Sequence, residues 1–299
     1  MADSGPAFPG WSPALQAALD RLSIAAARPP RGHLAGPVTS RVLGRALEFA
    51  DYRPYTPGDD PKLVDWRAFS RLDRLYLKQY QEERARTIGV LLDASASLDW
   101  GTGEAHKGFF ARRLAAALVW IALGRLERVQ LYVLRGDNAQ RLEPPTSRPG
   151  AARLFRTLRD VRESGPLQLD KAVHAALRQL RGDGPIFLVS DLLDANWAEA
   201  VHALGARGPG GVILQVLAAD EWEPALGDEA ELQDSETGEL RPTRFGPSEL
   251  RTYRANLDRL LAEVATACRQ FGLRHVALNS SDAIAEVLLK RLTGAGILR

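Results

Sequence analysis

TIGVLLDASAS, Thr87–Ser97, joins an uninterrupted apolar run to an acid, and the acid to alternating small and hydroxylic residues. A run with no polar alternation suits a strand buried on both faces, and such strands belong to parallel sheets covered by helices. Val129–Leu134 (VQLYVL), Pro185–Asp191 (PIFLVSD), Gly211–Leu217 (GVILQVL) and His275–Leu278 (HVAL) read the same way, and Gln140–Glu143 adds a short edge strand. Helical periodicity fills residues 106–124, 150–161, 169–181, 196–207, 248–271 and 281–293. The alternation predicts an α/β fold, a doubly wound and mostly parallel sheet with helices on both faces.

Outward from this core the pattern changes. Residues 1–10 contain Gly and Pro and are expected to be disordered. Ser12 is placed to cap a helix running to about Ala27, with Leu15, Ala18 and Leu22 inward, and Pro29 and Pro30 stop it. Residues 31–86 form a small β-rich appendage with a turn at Thr56–Pro61. The expected division is 1–30, 31–86 and 87–299, with an irregular acidic insert at 221–246.

In open parallel sheets, ligands bind beyond the carboxyl ends of the strands. Two strands here end in acids, Asp93 and Asp191. Asp93, Ser95 and Ser97 follow at alternate positions on the exit loop, so one carboxylate and two hydroxyls face a common centre. All are hard oxygen donors, which suit Mg²⁺ or Mn²⁺. The plainer reading is that Asp or Ser after a strand caps the next helix. Asp59, Asp60 and Asp65 form a second acidic group. They read either as part of a two-metal site or as turn residues paired with Arg53, Arg67, Arg71 and Arg74. Trp66 reads as a packing anchor.

The DASAS loop, with a second acid closing a later strand, resembles the metal-ion-dependent adhesion site of von Willebrand factor A domains. The segment EFADYRPYTPGDDPKLVDWRAFSRLDRLYLKQYQEE, Glu48–Glu83, resembles the signature of a bacterial family called domain of unknown function fifty-eight. The matching positions are Glu48, Phe49, Arg53, Tyr55, Gly58, Asp59, Asp60, Asp65 and Trp66, and Glu231–Leu240 is similar as well. The resemblance covers roughly residues 40–295. It implies a von Willebrand factor A-like domain acting as a protein-interaction module beside a MoxR-type AAA+ ATPase. The metal would be held by Asp93, Ser95, Ser97 and Asp191. One position departs from the adhesion pattern: Leu167 stands where a Thr ligand is expected, and Leu cannot ligate a metal. Ser164 is near but needs a shifted loop. Leu98 replaces a Met at conserved apolar volume.

Other classes find little support. There is no Gly-x-Gly-x-x-Gly after a strand and no Gly-x-Ser-x-Gly elbow. Gly101–Lys107 resembles a phosphate loop only faintly, and reads as a connection into the next helix. The five histidines lack metalloprotease spacing, and His106 alone is expected near the rim. A metal-dependent hydrolase on the same acids would need a positioned base that the sequence does not show; a metal-free scaffold is the reading Leu167 suggests. The net charge is +2, and five lysines stand against 34 arginines, with no basic run for nucleic acid. The lone Cys268 precludes a disulfide within the chain. The longest apolar run, Leu114–Leu123, is too short to span a bilayer. With no signal-like start, the expectation is a cytoplasmic protein.

Overall fold

The computed structural model describes residues 8–25, 47–59, 64–72, 74–82, 86–143, 145–208, 210–224, 227–233 and 240–299. The chain divides into two compact units, Arg31–Ala85 on the one hand and Met1–Pro30 with Arg86–Arg299 on the other.

The smaller unit pairs β1 (Leu47–Pro54) antiparallel with β2 (Tyr76–Glu82), with α2 (Trp66–Leu72) between them in sequence; α1 (Pro13–Leu19) precedes both and belongs to the larger unit. Two of its acids, Asp59 and Asp65, make turn and cap hydrogen bonds. The Asp59 carboxylate accepts from the amide and hydroxyl of Thr56, both at 2.8 Å. Asp65 accepts from Ala68 N at 3.3 Å at the start of α2. Asp60 and the side chains of Arg53, Arg67 and Arg71 lie outside the described residues. Trp66 is not the buried anchor expected: it is 62% exposed and meets Phe69 edge-on.

The larger unit holds a six-stranded sheet. Its members are β3 (Thr87–Asp93), β4 (Arg128–Arg135), β5 (Asn138–Arg141), β6 (Ile186–Ser190), β7 (Val212–Leu217) and β10 (Arg274–Asn279). The spatial order is β10-β7-β6-β3-β4-β5, parallel except for β5. The first strand of the sheet, β3, therefore sits in the middle with the second and third on one side and the fourth to sixth on the other. This is a doubly wound sheet whose direction of winding reverses between β3 and β6. The two strands expected to carry acids are the two that flank the reversal.

Side chains of β3 alternate between two cores. Ile88, Val90 and Leu92 face the cluster built around α3 (Lys107–Gly124), α1 (Pro13–Leu19) and α4 (Ala151–Arg159). Leu91 faces the cluster of α5 (Leu169–Gln179), α6 (Trp197–Ala206) and α8 (Pro247–Gln270). Nearly every residue of α3 is buried, which is why its sequence from Leu114 to Leu123 is apolar all round, while Lys107, Arg112 and Arg113 near its start are buried charges. Cys268 lies in the second core, and burial pushes its thiol up to about 11.

Three expectations need correction. Ser12 does cap α1, accepting from Leu15 N at 3.1 Å, but the helix ends at Leu19 rather than Ala27. The chain beyond it turns extended to exchange backbone hydrogen bonds with the C-terminus, Ser23 N to Arg299 O and Ala25 N to Ile297 O. Phe8 is ordered and fully buried against Trp11 and Phe155, so the expected disorder does not reach it. The acidic insert is not irregular throughout. After α7 (Ala219–Trp222), β8 (Gly227–Gln233) and β9 (Leu240–Phe245) form an antiparallel ribbon. The last helical stretch comprises α9 (Ile284–Glu286), a π-helical turn at Val287–Arg291 and α10 (Leu292–Gly294).

Candidate functional site

Register places the acids together. Leu92 of β3 pairs with Val189 of β6, so Asp93 ends one strand beside Ser190, and Asp191 follows immediately. Both acids are almost wholly buried. Asp93 Oδ1 accepts from Ser95 N at 2.8 Å, and Oδ2 accepts from Ser190 Oγ at 2.6 Å. Ser190 Oγ in turn accepts from Leu192 N at 3.1 Å, and Asp191 Oδ1 accepts from Leu193 N at 3.2 Å. These bonds hold Leu192 at φ 56°, a left-handed conformation that a branched side chain adopts only when its surroundings impose it.

Burial, and then the neighbouring Asp191 charge, push the Asp93 carboxyl up to about 7, against the bonds from Ser190 and Ser95. Two buried acids at one strand junction are the kind of charge a cation offsets. The Ser95 and Ser97 hydroxyl oxygens lie 2.9 Å apart. That is the length of an ordinary O–H···O hydrogen bond between the two hydroxyls. Asp93, Ser95 and Ser97 offer hard oxygen donors of the kind that suits a divalent cation.

The third-hydroxyl position does not. The loop that should carry it lies against the DASAS turn, through Ser164 N to Ala94 O and Ala96 N to Gly165 O. Leu167 is buried in the second core, away from any ligating role, and the Ser164 hydroxyl is engaged by Arg135. Leu98 fills the core as expected.

Asp191 carries a partner that sequence reasoning missed. Lys107, the first residue of α3, is completely buried, with Nζ 2.9 Å from Asp191 Oδ2 and 2.8 Å from Glu221 Oε1. Burial works against the ammonium, but the two carboxylates outweigh it and hold the lysine above its ordinary pKa. A cation at a helix N-terminus opposes the helix dipole, so only the acids account for its place there. Glu221 belongs to α7, just past β7; its Oε2 accepts from Ala218 N, and its backbone carbonyl accepts from Tyr253 Oη. The Gly101–Lys107 loop is therefore no phosphate cradle.

His106 sits on this rim as expected, in a capping role. Its Nδ1 accepts from Phe109 N at 3.2 Å and its Nε2 lies 3.0 Å from the Asp99 carboxylate. Asp99, His106 and Glu163 approach one another closely enough for a metal. Yet the cap requires an unprotonated Nδ1, which leaves the proton on Nε2 and denies that atom to a metal. Glu163 is also bound by Arg112.

Behind the rim, Gln215 Nε2 donates to the Asp191 backbone carbonyl and Gln215 Oε1 meets His275 Nε2, both at 2.9 Å. Burial pushes His275 down to about 4. The unfolded chain, at the ordinary value of 6.5, binds this proton first, so stability falls as pH drops from about 6.5 toward 4. The loss from this group should be on the order of 2 kcal/mol after discounting for its partial exposure. His275→Gln, which can keep the bond to Gln215, should flatten that part of a urea-stability curve against pH. An unchanged slope would remove His275 from the account.

The family model "Protein of unknown function DUF58" matches residues 51–260. An uncharacterized protein of Mycobacterium tuberculosis, Rv1480, is 28% identical over 284 residues, covering 92% of this chain and 88% of that protein. Mb1516 of Mycobacterium bovis, also uncharacterized, matches at the same identity and coverage. Among solved structures, the conserved hypothetical protein BatB from Bacteroides thetaiotaomicron aligns at 16% identity and a TM-score of 0.42, over 71% of this chain and 98% of that one. The SpRpn10 VWA domain aligns at 12% and 0.38, over 68% and 94%. With more than two thirds of its length matched by the family model, the chain belongs to the DUF58 family.

Proposed function

We propose that this chain is a non-enzymatic protein-interaction module that binds a divalent cation, Mg²⁺ or Mn²⁺, at Asp93, Ser95 and Ser97. Asp191 acts directly or through water. An acidic side chain of a partner protein fills the remaining open position. The observation that carries this reading is the Ser95–Ser97 hydroxyl pair beside the buried Asp93 carboxylate. The metal contributes by bridging two anionic surfaces that otherwise repel. Trp100 and Leu193 are exposed on loops following β3 and β6, at the same end of the sheet, and give such a partner apolar surface to cover. A MoxR-type AAA+ ATPase is the partner that the family resemblance suggests, and ATP hydrolysis would belong to that partner. No helix among the described residues is long and apolar enough to cross a membrane.

The test is calorimetric titration of Mg²⁺ and Mn²⁺ into chelator-treated protein. Saturable binding is expected, and Asp93→Ala should abolish it. A second reading, a metal-free scaffold, is favoured by the buried Leu167 and by the ammonium already on Asp191. It requires a flat titration, and partner binding that Asp93→Ala leaves intact.

A further inference from the structure

Three strands lead a carboxylate to the same rim: Asp93 at the end of β3, Asp191 after β6 and Glu221 on α7 after β7. The cation already among them is the Lys107 ammonium, which divides itself between Asp191 and Glu221. Nothing about helix formation asks for a lysine at the first position of α3, where the dipole disfavours it. Nor is its charge accessible to a partner, since the side chain is wholly buried.

We propose that Lys107 is the built-in rival of the divalent cation: its ammonium neutralises Asp191 and so sets how tightly the rim takes metal. This rests on the reading of Asp93, Ser95 and Ser97 as the metal site. A metal that draws on Asp191 must share that carboxylate with an ammonium or displace it toward Glu221. Glu221 supplies the alternative seat, and its own place is fixed by Ala218 N and by the hydroxyl of Tyr253 on α8. Removing the lysine charge frees Asp191 for metal. Removing the Glu221 charge has the opposite effect, because the ammonium is then left to Asp191 alone.

The experiment is calorimetric titration of Mn²⁺ into the full chain as wild type, Lys107→Met, Glu221→Gln and Asp93→Ala. Lys107→Met is expected to bind at least about tenfold more tightly than wild type, equivalent to about 1.4 kcal/mol. Glu221→Gln should bind a few-fold more weakly, and Asp93→Ala not at all. A silent wild type with a saturable Lys107→Met would uphold the rivalry and overturn only the expectation that the wild-type rim takes metal unaided. If wild type binds, Asp93→Ala is silent and Lys107→Met binds no more tightly than wild type, the rivalry is overturned while the metal site stands. Silence of both wild type and Lys107→Met overturns the metal site and the rivalry with it. Should Lys107→Met fail to fold, Glu221→Gln decides: weaker binding supports the proposal, and unchanged or tighter binding overturns it.

Discussion

Lys107→Met should lower the unfolding free energy by about 3–5 kcal/mol, the range seen when one member of a buried ion pair is removed and its partner is left uncompensated. Methionine replaces the aliphatic stem at similar volume, so packing against the surrounding core changes little. What changes is the charge. Asp191 is almost wholly buried and Glu221 mostly so, and both lose the only counter-ion the described residues place between them. The helix N-terminus behind Lys107 is a poor substitute, since its partial charge is weaker and diffuse. The triple variant Lys107→Met, Asp191→Asn, Glu221→Gln separates charge from packing. It should regain much of the loss, because a neutral, hydrogen-bonded cluster of the same shape escapes the desolvation of two lone carboxylates. Urea denaturation of the three proteins checks this. A loss below about 1 kcal/mol for Lys107→Met would place the triad in the weak class of exposed pairs, against its burial. Added Mn²⁺ should restore more stability to Lys107→Met than it adds to wild type, by mass action on the folded state.

The four inner strands of the sheet were legible because they are buried on both faces. Such strands have a near-continuous apolar run, and Ile88–Leu92 shows this with each residue buried. The helices were legible from their periodicity, and α3 from its length and apolarity. The less legible parts depend on contacts distant in sequence. The N-terminal helix keeps helical spacing past Leu19, but residues 23–25 pair with the chain end nearly three hundred residues away, and that pairing overrides local propensity. The β8–β9 ribbon lacks the apolar alternation of a half-buried hairpin. At the candidate site, the place of Asp93 and Asp191 at strand ends, and of Ser95 and Ser97 on the loop after β3, was readable from the sequence. Lys107, Ser190 and Glu221 were not, since their roles depend on which strand lies next to which. One signal was present. In a chain that uses arginine almost everywhere, the lysine at 107 is one of five, and its compact ammonium on a flexible stem sits between two carboxylates.

The opposite end of the same strand pair carries the second large effect. Gly184→Ala should cost about 3 kcal/mol, at the upper end of what over-packing a tight site does. A Cβ at Gly184 would stand 2.4 Å from the Thr87 carbonyl oxygen and 2.8 Å from its carbon, which are backbone atoms with no rotamer to escape into. Thr87 is the first residue of β3, and two residues on, Gly89 N donates to Pro185 O at 3.0 Å. Relieving the clash by moving residue 184 therefore strains the hydrogen bond that starts the β3–β6 pairing. Gly294→Ala is the control: no atom lies within 4 Å of its added methyl, and helical alanine is favoured over glycine. That variant should be neutral or slightly stabilising. The six steps from Thr87 to Asp93 put the clash roughly 20 Å from the acids at about 3.3 Å per residue. Gly184→Ala protein that remains folded at low temperature should therefore titrate Mn²⁺ as wild type does, while its urea midpoint falls. Weakened metal binding in the folded variant would mean that strain at the base of the two strands reaches their carboxyl ends. The separation of Asp93 from Asp191 would then be set along the whole length of the pair, rather than by Ser190 at its end.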